Sequence, residues 1–143
     1  MKIFGLDFRI RIAALVALFL ALPAYAADVL PPDIVGIWTT PNSVLRGEAL
    51  FEGYGLYLDS DGVGTLIGGP PPIGVRIVAT YNPDTRAITC RLTERGKSVG
   101  TGNFTYDPAR KVILDHKGIE LYRRFDSVNA STRKALGLEA KAW

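Results

Sequence analysis

From Asp59 onward the chain alternates short period-two segments with turn signals, and this rhythm constrains the fold more than any other feature. Within a segment, apolar side chains recur at every second residue, as Ile88, Cys90 and Leu92 do, which is typical of half-buried β-strands. The turns come every 8 to 14 residues and are short, as at Asp59–Gly62. Because short connections join antiparallel neighbours, the pattern predicts an all-β meander.

The pattern predicts eight strands followed by a short helix. An eight-stranded antiparallel up-and-down barrel hides both sheet edges, and its interior is filled by side chains or holds one small ligand. An open two-layer sandwich is the alternative. The helix is predicted at 127–136, with Asp126 or Ser127 as its cap and Gly137 at its end. The predicted strands span residues 34–39, 50–59, 63–68, 75–81, 86–94, 98–106, 111–115 and 119–125.

The second strand carries one polar residue on an apolar face. Leu50, Tyr54, Leu56 and Leu58 share that face at period two, and Glu52 falls among them. Glu52 therefore lies at a barrel mouth, or the strand bends at the glycines that follow it.

The first 26 residues are typical of a secretory signal peptide. Lys2, Arg9 and Arg11 precede an uncharged apolar run at 12–22, and Ala24-Tyr25-Ala26 follows as a small-x-small cleavage site. A run of 11 residues is too short to span a bilayer, which needs about 20. We predict cleavage after Ala26, a periplasmic or secreted location, and no membrane span after cleavage. The predicted divisions are a signal peptide at 1–26, a β-barrel domain at 27–126, and a C-terminal helix and tail at 127–143.

Cleavage also changes the charge of the chain. The whole chain has 17 basic and 14 acidic residues. Residues 1–26 hold three basic residues and one acidic residue, so 14 basic and 13 acidic residues remain after cleavage. A near-neutral surface gives no electrostatic case for a nucleic-acid partner. Cys90 is the only cysteine, so no internal disulfide forms, and its alternation with Ile88 and Leu92 predicts a buried thiol.

The first and last strands carry a family resemblance. Gly36-Ile37-Trp38 in the first strand, the eight-strand meander and a basic residue in the last strand resemble the lipocalin-like (calycin) barrels, in particular the small periplasmic ones of bacteria. The resemblance implies that the tryptophan packs at the closed end and that a late arginine lies across its ring. Arg123 is the candidate, because it alternates with Ile119 and Leu121. We therefore predict that Gly36, Trp38 and Arg123 close the barrel.

Three features favour a ligand-binding module: the strand count, the set of aromatic residues, and the proline-rich loop at 69–74, which would frame an opening. The prediction is a small apolar or amphipathic ligand in a cavity larger than about 300 Å³. The alternative is an envelope protein-interaction or inhibitor module that has a solid core and no ligand, and that presents loops 42–48 and 69–74 to a protein partner. The predicted ligand-binding residues are Tyr54, Leu56, Ile77, Tyr81 and Phe104.

Catalytic and metal-binding patterns are not found in the sequence. His116 is the only histidine and lies in a predicted turn beside Asp115, whereas a triad or a His-based zinc site needs further partners. Asp59–Gly62 departs from the EF-hand pattern, because Val63 and Pro70 stand where calcium ligands are required. We predict no enzymatic activity, no metal site and no cofactor.

Overall fold

A computed structural model describes residues 30–139 of the chain, so the predicted signal peptide and the last four residues of the predicted tail lie outside the described residues. Within residues 30–139, nine strands precede one helix. The strands are β1 (Gly36–Thr39), β2 (Val44–Arg46), β3 (Ala49–Leu58), β4 (Val63–Gly69), β5 (Ile73–Asn82), β6 (Ala87–Glu94), β7 (Lys97–Asp107), β8 (Val112–Asp115) and β9 (Glu120–Phe125), and the helix is α1 (Ala130–Ala135).

Eight of these strands form a closed antiparallel barrel. The strands β3 to β9 pair in chain order, and β1 closes the sheet because it pairs with β9 on one side and with β3 on the other. The register places Trp38 opposite Leu56 of β3 and opposite Arg123 of β9. The predicted eight-stranded up-and-down barrel is confirmed, with strand bounds that agree within two residues, and the open-sandwich alternative is wrong.

The turns between the strands are held by short polar side chains or by residues with positive φ. Asn82 Oδ1 accepts from the N–H of Asp84 at 2.9 Å, and Asp115 Oδ1 accepts from the N–H groups of Lys117 and Ile119 at 2.8 Å each. In such Asx turns, a side-chain oxygen accepts hydrogen bonds from backbone N–H groups of the same turn and so stabilises the chain reversal. The β3–β4, β5–β6 and β7–β8 connections lie at one end of the barrel, termed the closed end, and the β4–β5, β6–β7 and β8–β9 connections lie at the other, termed the open end.

Inward-facing apolar residues fill the barrel. Cys90 is fully buried there, which confirms the prediction from its alternation with Ile88 and Leu92. The segment 30–35 crosses the closed end, where Leu30 N–H donates to Ser60 O at 2.9 Å. The interior cluster consists of Leu30, Ile34, Val35, Trp38, Leu56, Leu58, Ile77, Ala79, Ile88, Cys90, Phe104, Tyr106, Ile113 and Leu121.

The start of β3 bends at Gly53, which is the second of the two alternatives that the position of Glu52 left open. This glycine has a φ of +113°, and a Cβ there would lie 2.1 Å from Ser43 Oγ. Beyond the bend, β2 and the first residues of β3 pair as a hairpin on the outside of the barrel. Leu50 therefore packs on the outer wall, so its predicted position on the face of Tyr54 is wrong. Glu52 is exposed in the hairpin.

The C-terminal helix packs against the outside of the barrel near the closed end. It is shorter than predicted, and its cap is Asn129, whose Oδ1 accepts from Thr132 N–H at 2.8 Å. Arg133 forms ion pairs with Asp59 and Asp61 of the β3–β4 turn. Gly137, with φ of +67°, ends the helix as predicted. Over residues 30–139, no helix is long and apolar enough to cross a membrane.

Candidate functional site

Trp38 and Arg123 meet at the closed end of the barrel. The Arg123 guanidinium carbon lies 5.5 Å from the centroid of the Trp38 ring, and Tyr106 meets the same ring edge-on at 6.0 Å. Trp38 Nε1 donates to Ile34 O at 2.8 Å, and Arg123 Nε donates to Val35 O at 3.1 Å. The donors of both side chains thus hold the lead-in segment across the closed end, which is a structural arrangement.

Gly36 lies beside this pair, at the start of β1. Its φ is +139°, and a Cβ there would lie 2.1 Å from Phe125 O and 3.2 Å from Arg123 Nε. Any side chain would therefore push β1 away from β9. The three residues predicted to close the barrel, Gly36, Trp38 and Arg123, are together in space.

Of the five residues predicted to bind a ligand, only Tyr54 lines either of the two cavities described below. Leu56 and Ile77 are fully buried in the interior cluster, and Phe104 is 4% exposed there. Tyr81 packs against the same cluster next to the last residue of β5, near the closed end. Tyr54 alone among the five reaches the open end, where it lines a cleft.

The open-end cleft is small. Its volume is about 300 Å³, at the lower limit for ligand pockets. Burial, followed by the nearby Asp115 carboxylate, raises the pKa of Tyr54 to about 12, so its hydroxyl stays protonated at neutral pH. Asp115 already accepts two backbone N–H bonds. The lining residues are Thr40, Tyr54, Asp115, His116, Lys117 and Ile119.

A larger cavity lies on the outside of the barrel, between its wall and α1. Its volume is about 850 Å³, within the range of small-molecule pockets. We term it the outer-wall cavity. Three elements contribute: the β2–β3 hairpin (residues 46–50), the wall of β3 to β5 with Pro72 (Tyr57, Thr65, Ile67, Pro72, Gly74, Arg76), and the helix with its cap (Asn129, Ser131, Thr132, Ala135, Leu136).

The cavity exists because the hairpin and the helix are held away from the wall at fixed points. Tyr57 projects outward from β3, and its hydroxyl accepts from Leu50 N–H at 3.0 Å and donates to Glu48 O. Glu48 Oε1 in turn accepts from Asn129 N–H at 3.0 Å, which ties the hairpin to the helix cap. The hairpin is thus bonded to the barrel wall through Tyr57, and it is bonded to the helix cap through Glu48.

The floor of the cavity is apolar. It is part of the outer-wall cluster, which consists of Ile37, Leu50, Tyr57, Ile67 and Val128, with Leu45 and Leu136 packed against it. Four of these residues, Leu50, Tyr57, Ile67 and Leu136, line the cavity directly.

The charged residues around the cavity are two arginines and one glutamate. Burial lowers the pKa of Arg76, with the Arg133 charge acting in the same direction and Asp61 opposing it, and Arg76 Nη1 donates to Gly137 O at 2.9 Å. The Arg46 guanidinium lies over the Phe51 ring at 4.3 Å. Because the Glu48 carboxylate bonds the helix cap, positive charge predominates in the lining.

Metal and thiol chemistry find no support within the described residues. Across 30–139, no group of three or more His, Cys, Asp or Glu side chains could hold a metal ion. Burial raises the pKa of the Cys90 thiol to about 12, which keeps it protonated and unreactive at neutral pH.

Sequence reasoning did not predict the outer-wall cavity, although one signal pointed toward it. Tyr57 and Ile67 are apolar residues on the outward face of their strands, where a solvated barrel wall would be polar. An apolar outward pair indicates that something covers the wall at that point. Comparisons with protein-family models, curated proteins and solved structures find no match to this chain, so its geometry is the basis for a functional proposal.

Proposed function

We propose that this chain is an exported, lipocalin-like binding module that holds a small amphipathic ligand in the outer-wall cavity. The observation that carries the proposal is the cavity itself: about 850 Å³, with an apolar floor and two guanidinium groups in its lining. Pockets of this size and polarity are typical of small-molecule sites. The signal peptide predicted from the sequence at 1–26 supports a periplasmic or secreted location.

The two kinds of lining residue favour an amphipathic ligand. An alkyl or aromatic portion would cover Leu50, Tyr57 and Ile67, which gains about 25 cal/mol per Å² of apolar surface removed from water. A polar or anionic group would face Arg46 and Arg76, whose guanidinium groups carry several N–H donors each. A purely apolar ligand would leave those two arginines partly desolvated with nothing gained.

This proposal puts the ligand outside the barrel, whereas the sequence predicts a ligand inside it. Leu56, Ile77 and Phe104 occupy the interior with their own side chains, so a ligand there would have to displace packed core residues. The outer-wall cavity needs no such displacement. The proposal keeps the ligand class expected from the sequence and changes its position.

A pair of matched helix variants tests the position of the ligand. Ala135 lines the cavity and Ala130 does not, and both are exposed residues of the same helix. With anilinonaphthalene sulfonate as an amphipathic anionic probe, we expect Ala135→Trp to weaken binding at least tenfold and Ala130→Trp to leave it unchanged. Equal binding by the wild type and Ala135→Trp would contradict the proposed site.

A third variant separates the cavity from the barrel mouth. Gly100 pairs with inward-facing Leu92, and a Cβ at Gly100 would meet nothing within 4 Å, so Gly100→Leu fills the mouth without strain. We expect Gly100→Leu to bind the probe as the wild type does. If Gly100→Leu loses the probe while Ala135→Trp keeps it, the ligand lies in the barrel mouth.

Native mass spectrometry of protein purified from its own periplasm tests the ligand itself. A retained small molecule, lost in Ala135→Trp, is the expected result. A retained protein in its place would favour the alternative function, an envelope interaction module without a ligand. The intact mass also tests export, since cleavage after Ala26 leaves a chain that begins at Ala27.

A further inference from the structure

One hydroxyl in the wall of the outer-wall cavity is buried without a hydrogen bond inside the fold. Among residues 30–139, the buried polar side chains are Thr39, Ser43, Thr65 and Thr93, and all but Thr65 make a hydrogen bond through the side-chain oxygen. Thr65 is 3% exposed, lines the cavity, and has no partner for its hydroxyl among the described residues. Water in the cavity satisfies such a hydroxyl before a ligand binds, and a ligand that displaces the water has to supply a polar group in its place.

The strand register puts a cationic side chain beside this hydroxyl. Thr65 of β4 pairs with Tyr57 of β3 on one side and with Arg76 of β5 on the other, so the three residues form one row across the wall. Directly opposite residues of antiparallel strands share a face, with Cβ atoms about 4.5–5.5 Å apart. All three residues line the outer-wall cavity, as this register requires. The Thr65 hydroxyl therefore has the Arg76 side chain as its neighbour on β5.

The other charges around the row favour an anionic partner over a cationic one. Among the described residues, Glu48 is the one carboxylate in the lining, and it accepts from the N–H of the helix cap. Arg46, the second cation of the lining, lies in the hairpin over a phenylalanine ring and outside the row. Arg133 and Asp61, whose charges act on Arg76 from outside the lining, are paired with each other. A ligand group beside Thr65 thus meets a guanidinium group.

We propose that Thr65 and Arg76 bind the head group of the ligand, and that this head group is a carboxylate or sulfonate on an otherwise apolar molecule. The Thr65 hydroxyl donates to one oxygen of the anion, and the adjacent guanidinium balances its single negative charge. The apolar part covers Leu50, Ile67 and Leu136, which line the same cavity. This inference rests on the proposed function, and it adds the head group that the site selects and the residues that select it.

Two probes that differ in the head group test the inference. Anilinonaphthalene sulfonate carries the oxyanion, and N-phenylnaphthylamine has the same aromatic rings without it. Thr65→Val replaces the hydroxyl by a methyl group of similar size. We expect Thr65→Val to weaken binding of the sulfonate at least tenfold, because a hydrogen bond to a charged group is lost, and to leave binding of the neutral probe unchanged. Thr65→Ser keeps the hydroxyl and should bind both probes as the wild type does.

A matched control and a measurement without ligand accompany the probes. Thr80 is an exposed threonine of the neighbouring strand β5 that does not line the cavity, so Thr80→Val should change the binding of neither probe. Because the Thr65 hydroxyl has no hydrogen bond within the described fold, Thr65→Val should keep or raise the thermal unfolding midpoint of the free protein. A lower midpoint would show that the fold itself uses this hydroxyl, and it would overturn the inference.

The outcomes separate this inference from the proposed function. If the wild type binds both probes and Thr65→Val binds the sulfonate equally well, the head-group assignment is wrong and the binding site stands. The same conclusion follows if Thr65→Val loses both probes to the same extent, because the hydroxyl then does not select the anion. If the wild type binds neither probe, the proposed function fails, and this inference fails with it.

Discussion

The inside and the outside of this barrel wall are both apolar near β3 and β4, yet they are covered to different extents. The interior cluster is enclosed by eight paired strands and by the lead-in segment, and most of its members are at most 4% exposed. The outer-wall cluster is covered only by a short hairpin and a six-residue helix, and a cavity of about 850 Å³ remains beside it. Complete covering produces stability, and incomplete covering leaves the apolar surface on which we propose that a ligand binds.

The largest expected effect lies inside, at Trp38. Trp38→Ala removes a ring that is 1% exposed, together with its hydrogen bond to Ile34 O, and should lower the free energy of unfolding by about 3–5 kcal/mol. Urea unfolding measures it, and Phe125→Ala, at a partly exposed ring, should cost much less. A near-neutral result for Trp38→Ala would show that the interior contributes no more to the free energy of unfolding than the outer wall does.

A second effect inside the barrel depends on pH. Burial raises the pKa of Cys90 from 9.0 to about 12, so the thiol ionises in the unfolded chain before it ionises in the folded one. The stability is therefore complete below pH 9 and falls between pH 9 and about 12, by up to about 1.4 kcal/mol per pH unit. Tyr54, raised from 10.0 to about 12, contributes in the same direction above pH 10.

Urea unfolding between pH 8 and 12 measures this loss. Cys90→Ala should make the slope shallower between pH 9 and 10, where Tyr54 does not yet contribute. An unchanged slope in that variant would show that the thiol is not buried in the folded protein in solution.

The smallest expected effect lies outside, at Tyr57. Tyr57→Phe keeps the ring but leaves Leu50 N–H and Glu48 O without their hydroxyl partner, which should cost about 1–2 kcal/mol. Hydrogen exchange of the Leu50 amide should accelerate as the hairpin loosens. Tyr122→Phe, whose hydroxyl bonds Glu120 on the surface, should change neither measurement. A loss as large as that of Trp38→Ala would mean that the outer covering is part of the core.

The barrel could be predicted from the sequence because its strands are specified locally. Each strand shows its own alternation and each turn its own Asx or glycine signal, so Ile88, Cys90 and Leu92 indicate a strand without reference to any other part of the chain. β2 was not predicted, since its three residues have no alternation and pair only with the bent start of β3.

The outer-wall cavity could not be predicted, because no local pattern encodes it. It depends on the bend at Gly53, which moves Leu50 from the inner to the outer side, and on the position of α1, which the Arg133 ion pairs with the β3–β4 turn help to fix. Both depend on tertiary contacts, which a local sequence pattern does not show. The position of Glu52 in the sequence left a bend at the following glycines open, but it did not show that the bend would move Leu50 to the outer wall.

The four-residue strand β1 also determines the order in which the barrel can assemble. β3 to β9 each meet a partner next to them in the chain, but β1 must join Ile37 to Phe125, near the other end of the fold. Contacts so distant in sequence form slowly, because the intervening chain must be ordered first. A chain delivered with its N-terminus leading has therefore released Trp38 long before Arg123 arrives. Until β9 is available, the sheet keeps two unpaired edges that are open to aggregation, and the barrel cannot close.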